Sequence, residues 1–144
     1  MSSDFEDLLR VFNANGVKYL VVGGHAVMLY TEPRYTKDLD LWIEASDENA
    51  RKVFEALSGF GAPLSGLSAG DFAREGFFYQ IGLPPVRVDI LMSIDGLRFE
   101  DAWPNRQEAE LGHQKAWFIS RQDLIRNKRA SGGHIDLHDA ELLE

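Results

Sequence analysis

The decapeptide RYTKDLDLWI, residues 34–43, limits the fold more than any other part of the 144-residue chain. Leu39, Leu41 and Ile43 alternate with Asp38, Asp40 and Trp42, the period-two pattern of a strand with one apolar face. Aspartate is depleted from strands, and a carboxylate taken from water without a partner is strongly unfavourable. Asp38 and Asp40 leave the same face with Cα atoms roughly 7 Å apart. Two readings follow: aspartates solvated on an edge strand, or aspartates that share a hard cation.

A second stretch repeats the pattern. In VRVDILM, residues 86–92, Val86, Val88, Ile90 and Met92 form one face and Arg87, Asp89 and Leu91 the other. If this strand lies beside the first, the three carboxylates meet on one surface. Charges that close raise each other's pKa unless a cation is present. Magnesium takes oxygen ligands, and phosphoryl-transfer sites hold two divalent ions about 3.5–4 Å apart. Taken alone, Asp89 has a plainer reading, a pair with a helix end or with a neighbour of Arg87.

The surrounding sequence supplies a compact frame. Ser3 and Glu6 have the spacing of a capping box, and Phe5, Leu8, Leu9 and Phe12 form the stripe of a first helix. Residues 17–22 read as a strand that runs into Gly23-Gly24 and a short helix, HAVMLY. Ser46 starts a helix with Ala50, Val53, Phe54 and Leu57 on its buried face, and Gly59 is expected to stop it. Residues 59–71, rich in Gly and Ser, read as a loop. Residues 77–81 and 86–92 form a hairpin through Pro84-Pro85. Short strands are expected around Glu110-Leu111 and residues 117–119, then helices at 121–129 and 134–143. The class is α/β or α+β: a single domain over 1–144 with a small, mixed, partly antiparallel sheet flanked by helices.

Composition narrows the function. There is no cysteine, which excludes disulfides, thiolate metal sites and a cysteine nucleophile. No apolar run approaches bilayer length and no secretory leader is visible, so the expected location is the cytoplasm, with no membrane partner. A net charge of −8 argues against broad nucleic-acid binding, although Arg121, Arg126, Lys128 and Arg129 cluster locally. His134 and His138 are four apart on a helix but have no third ligand, and a zinc site is rejected. Trp103 and Trp117 read as core or interface residues.

Gly23-Gly24 lies between a strand and a helix, where glycine lets a phosphate approach the backbone. A tight turn would use the same residues for steric reasons alone. Taken in order, LVVGGHAVMLYTEPRYTKDLDLWI followed by Val88-Asp89-Ile90 resembles the nucleotidyltransferases of the DNA polymerase β superfamily. The likeness is strongest to small bacterial members, including abortive-infection-type toxins and minimal nucleotidyltransferases. It spans residues 17–92 and continues more loosely into FISRQDLIRNKRASGGHIDLHDAELL.

The resemblance implies a nucleotidyltransferase fold and transfer of a nucleoside monophosphate from a nucleoside triphosphate, with release of pyrophosphate. Gly23 and Gly24 would hold the β- and γ-phosphates. Asp38 and Asp40 would bind two Mg²⁺ or Mn²⁺ ions, and Asp89 the one beside the attacking hydroxyl. Arg34, Thr36 and Lys37 would line the nucleotide pocket, Thr36 either as a phosphate donor or simply as a β-branched strand residue. Lys128 would either reach a phosphate or lie as a solvated helix lysine. The acceptor is open among an RNA end, a protein hydroxyl and a small molecule. Two other classes stand beside transfer: a non-catalytic nucleotide- or partner-binding module, such as half of a toxin–antitoxin pair, and a metal-dependent phosphoesterase.

Overall fold

The computed structural model describes residues 3–82 and 87–144, without the side chain of Ser3. Helix α1 (Ser3–Ala14) leads to β1 (Tyr19–Val22), α2 (Gly23–Tyr30), β2 (Asp38–Ile43) and α3 (Asp47–Phe60). Then come a 3₁₀ turn over Ala69–Ala73, β3 (Phe78–Ile81) and β4 (Arg87–Leu91). The remainder is α4 (Phe99–Ala102), a second 3₁₀ turn over Trp103–Asn105, β5 (Gln107–Leu111), β6 (Gln114–Phe118), α5 (Arg121–Ser131) and α6 (His134–Leu143).

The strands form one six-stranded sheet in the order β3-β4-β2-β1-β6-β5. Pairing is mixed: β1/β2, β3/β4 and β5/β6 are antiparallel, while β1/β6 and β2/β4 are parallel. The expected class and sheet are therefore observed. Helices α1 and α3 pack together, and α2, α5 and α6 form a second group. On α1 the stripe of Phe5, Leu8, Leu9 and Phe12 is at most 4% exposed. Each such side chain contributes roughly 1.5–3 kcal/mol relative to leaving it in water.

Several local expectations change. Gly59 lies inside α3, on its exposed side, and the helix ends one residue later at Phe60. Gly61 makes the stop, with φ +91° and its amide donating to the Leu57 and Ser58 carbonyls. A left-handed cap needs that conformation, and no local signal distinguishes the two glycines. The Gly/Ser-rich segment is not wholly loop. Ser68 and Asp71 form a capping box, and Phe72, 1% exposed, anchors the turn in the core. Glu6 receives the amide of His113 at 2.6 Å, and the Ser3 half of its expected capping box lies outside the described residues. Pro84-Pro85 and Val86 also lie outside them, although β3 and β4 pair as the hairpin requires.

For the site, the decisive pairing is β2 with β4. It sets Asp40 opposite Asp89 and Asp38 opposite Arg87. Leu39, Leu41 and Ile43 are fully buried on one face, as the alternation demands. Trp42, on the aspartate face, is also buried, because Phe99 meets its ring edge-on at 5.1 Å. The aromatic chain continues through Trp103 to Trp117, with the Arg106 guanidinium over both indoles. Those tryptophans are packing residues.

Candidate functional site

The glycine turn and the aspartate strand form one structure. Strand β1 ends at Val22, and the chain enters α2 through Gly23 at φ +68°. A Cβ on Gly23 would lie 2.2 Å from the Oδ2 of Asp40. A Cβ on Gly24 would lie 2.9 Å from the Thr36 hydroxyl and 3.8 Å from Arg34 Nη2. Both glycines are thus pressed against site candidates, not merely against a turn. No side chain caps the first turn of α2, so nothing on that residue competes for its leading amides.

The carboxylates crowd as the patterning implies. Burial pushes the Asp40 carboxyl up to about 7, helped by the charge of Asp89, a hydrogen bond with it, and the charge of Asp38. Lys128 opposes the shift. Arg87 Nη2 donates to Asp38 Oδ2 at 2.9 Å, and its Nε lies 3.6 Å from Asp89 Oδ1. Arg87 Nε and Asp89 Oδ1 are both buried without a hydrogen-bond partner.

The raised Asp40 pKa has a measurable sign. Between its ordinary value of 3.8 and about 7, the folded protein holds a proton that the unfolded chain has released. This contribution is complete below that window and is lost as pH rises through it. Burial lowers the pKa of His25, which acts in the opposite sense below its ordinary 6.5. The comparison with Asp40→Asn isolates the aspartate. In EDTA, the Tm advantage of Asp40→Asn over wild type is expected to grow from pH 5 to pH 7.5. A constant difference across that range contradicts the assignment.

The cations are held by a residue that the sequence did not single out. Arg34 grips Asp139 with two nitrogens, at 2.6 and 3.1 Å, and Lys128 Nζ lies 3.4 Å from both Asp136 and Asp139. Asp139 is fully buried. Burial alone would raise its pKa, but Arg34 and Lys128 bring it below the ordinary carboxylate range. Asp136 and Asp139 are three apart and share the inner side of α6, whereas His134 and His138 are exposed. That spacing was the available signal on this helix. Lys37 is exposed and takes part in no ion pair among the described residues.

The other basic residues do not form one face. Arg121 donates to the Tyr30 carbonyl, Arg126 lies 3.9 Å from Asp123, and Arg129 pairs with Glu144. His25 packs edge-on against Phe5 in the core, with Nε2 buried and without a partner.

Val22, Gly23, Asp40, Leu91, Asp95, Lys128 and Asp136 line a cleft of about 290 Å³. Among the described residues no three His, Asp or Glu side chains stand as a ready metal-holding group. Arg87 is interposed at the Asp38 end of the cluster. The donors themselves suit a hard divalent cation, with an orphaned buried oxygen on Asp89 and a desolvated carboxyl on Asp40. No helix among the described residues is long and apolar enough to cross a membrane.

No protein-family model and no curated protein matches the chain. Solved structures do. The lincosamide antibiotic adenylyltransferase LnuA, with lincomycin bound, is 17% identical with a TM-score of 0.59, over 99% of this chain and 96% of that one. The antibiotic-resistance factor ANT(2'')-Ia is 12% identical with a TM-score of 0.65, over 98% and 80%. An antigenic nucleotidyltransferase-like protein from Paracoccidioides brasiliensis is 18% identical with a TM-score of 0.56, over 94% and 71%. At these identities the likeness is one of architecture, and the chain has the nucleotidyltransferase fold.

Proposed function

We propose that the protein is a metal-dependent nucleotidyltransferase that moves a nucleoside monophosphate from a nucleoside triphosphate to a small-molecule hydroxyl. The observation that carries this reading is the contact between Gly23 and Asp40, which makes the glycine turn and the carboxylates one site. The phosphates lie along Gly23, Gly24 and the first amides of α2, where closely approaching backbone and the helix dipole favour anions. Lys128 meets them from α5, and Arg34 and Thr36 flank Gly24. Asp38, Asp40 and Asp89 hold two Mg²⁺ or Mn²⁺ ions, which when bound offset the negative charge of the phosphates. The acceptor oxygen bonds to the α-phosphorus, the bond to the α–β bridging oxygen breaks, pyrophosphate leaves, and the hydroxyl proton passes to solvent. Positioning and electrostatics supply most of the rate.

The acceptor side is a second cavity of about 650 Å³, which shares Ser93 and Ile94 with the reaction cleft. Trp42 and Phe99 line it together with Glu44, Glu75 and Glu100. Its one arginine, Arg98, is paired with Glu100. A polyanionic RNA end meets repulsion there, and the volume suits a small molecule. LnuA, an antibiotic adenylyltransferase, offers a parallel in acceptor size.

The test uses nucleoside triphosphates labelled at the α-phosphate, with Mg²⁺ or Mn²⁺. Amino- and hydroxyl-bearing small molecules, total RNA and cell protein are offered as separate acceptors. Label should enter the small-molecule fraction with wild type and not with Asp89→Asn. Label in RNA or protein overturns the acceptor assignment. Nucleotide binding without label in any fraction replaces transfer with a binding module.

A further inference from the structure

Among the described residues, Arg87 is the cation that a strand of the sheet places against the carboxylate cluster. The β2/β4 register sets it beside Asp38, two residues before Asp89 on its own strand. Its contacts are incomplete for an arginine. A guanidinium can meet a carboxylate with two parallel hydrogen bonds. Here Nη2 makes one bond to Asp38 at 2.9 Å, while Nε stops 3.6 Å short of Asp89 Oδ1. Donor and acceptor are both buried and both unmatched. Other arginines here also meet a carboxylate through one nitrogen, but at exposed positions such as Arg10 and Arg129; at Arg87 the unused donor is buried against a buried, unmatched carboxylate oxygen.

We infer that Arg87 is the resident counter-ion of the metal-free site and competes with divalent metal for Asp38 and Asp89. A divalent ion offers more charge and a smaller radius between the same oxygens. A bound ion would take the oxygens that Arg87 now meets, and the guanidinium would have to release Asp38. Two consequences follow: metal affinity is held down by Arg87, and the metal-free fold is protected from its own carboxylate repulsion. This rests on the reading of the cluster as a metal site.

The experiment titrates purified protein with Mn²⁺ and measures the free ion by electron paramagnetic resonance. Wild type is compared with Arg87→Met, which keeps an apolar stem, and with Arg87→Lys, which keeps the charge. Arg87→Met is expected to bind Mn²⁺ about tenfold more tightly and to melt earlier in EDTA, the Tm gap closing at saturating Mn²⁺. Arg87→Lys is expected to stay near wild type in affinity. As a readout without substitution, the Arg87 Nε–H resonance of ¹⁵N-labelled wild type should shift on adding Mg²⁺. Equal Mn²⁺ affinity in wild type and Arg87→Met, or an Nε–H resonance that ignores Mg²⁺, overturns the role of Arg87 and leaves the metal site standing. Absence of binding beyond that of an Asp38→Asn/Asp40→Asn/Asp89→Asn control removes the metal site and this inference with it.

Discussion

Asp40→Asn is expected to lower nucleotide transfer by at least about 10²–10³-fold, the cost of losing one preorganised electrostatic contact to a transition state. Folding should survive the change and improve without metal. Asp40 is the carboxylate with the least favourable surroundings, desolvated and facing Asp89 across the β2/β4 pair. Asparagine keeps the shape and removes the charge that its neighbours repel. The two effects therefore run in opposite directions, which separates a site residue from a structural one. Steady-state kcat/KM for the nucleotide and thermal melts in EDTA measure them. A variant that keeps more than a tenth of wild-type kcat/KM takes Asp40 out of the reaction centre.

Gly23→Ala should be nearly as damaging, by a different route. The backbone at φ +68° disfavours any side chain by roughly 1–2 kcal/mol. The new methyl would also lie 2.2 Å from Asp40 Oδ2, so the carboxylate has to move. A displacement of about 1 Å at a reacting centre can cost about 10²-fold in rate. Gly24→Ala is the internal comparison. Its contact is with the Thr36 hydroxyl at 2.9 Å, and its φ lies outside the left-handed region. It should lose several-fold in activity and little stability. A Gly23→Ala variant that loses stability but no more activity than Gly24→Ala would show that Gly23 serves the turn alone.

What could be read without coordinates was periodic or local. Strand β2 announced itself by alternation, and the same alternation separated the aspartate face from Leu39, Leu41 and Ile43. The glycine turn and the first helix were equally local, and α5 starts where expected because Asp123 donates its amide to the Ser120 hydroxyl. The readings that changed depended on geometry that no short window contains. Gly59 and Gly61 differ only in which one the chain turns through left-handed space. Phe72 stabilises its 3₁₀ turn by packing near Phe54 on α3 and Tyr79 on β3, partners on two other elements. Arg87 acquires its role through a strand register, and Asp139 through Arg34. Neither partner can be named from the spacing around it.

The link between Arg34 and Asp139 spans 105 residues of chain, and β1 is completed by a parallel neighbour from the far end of the sequence. Closing loops of that size costs entropy before the contacts return anything, which places the chain among slow-folding topologies. Asp38, Asp40 and Asp89 can come together in a nascent sheet before α5 and α6 arrive with Lys128 and Asp139. A partly folded chain then holds acidic groups without the helices that frame the cleft. On the proposed function, transfer would therefore wait for α5 and α6, and a chain lacking them would be expected not to carry it out.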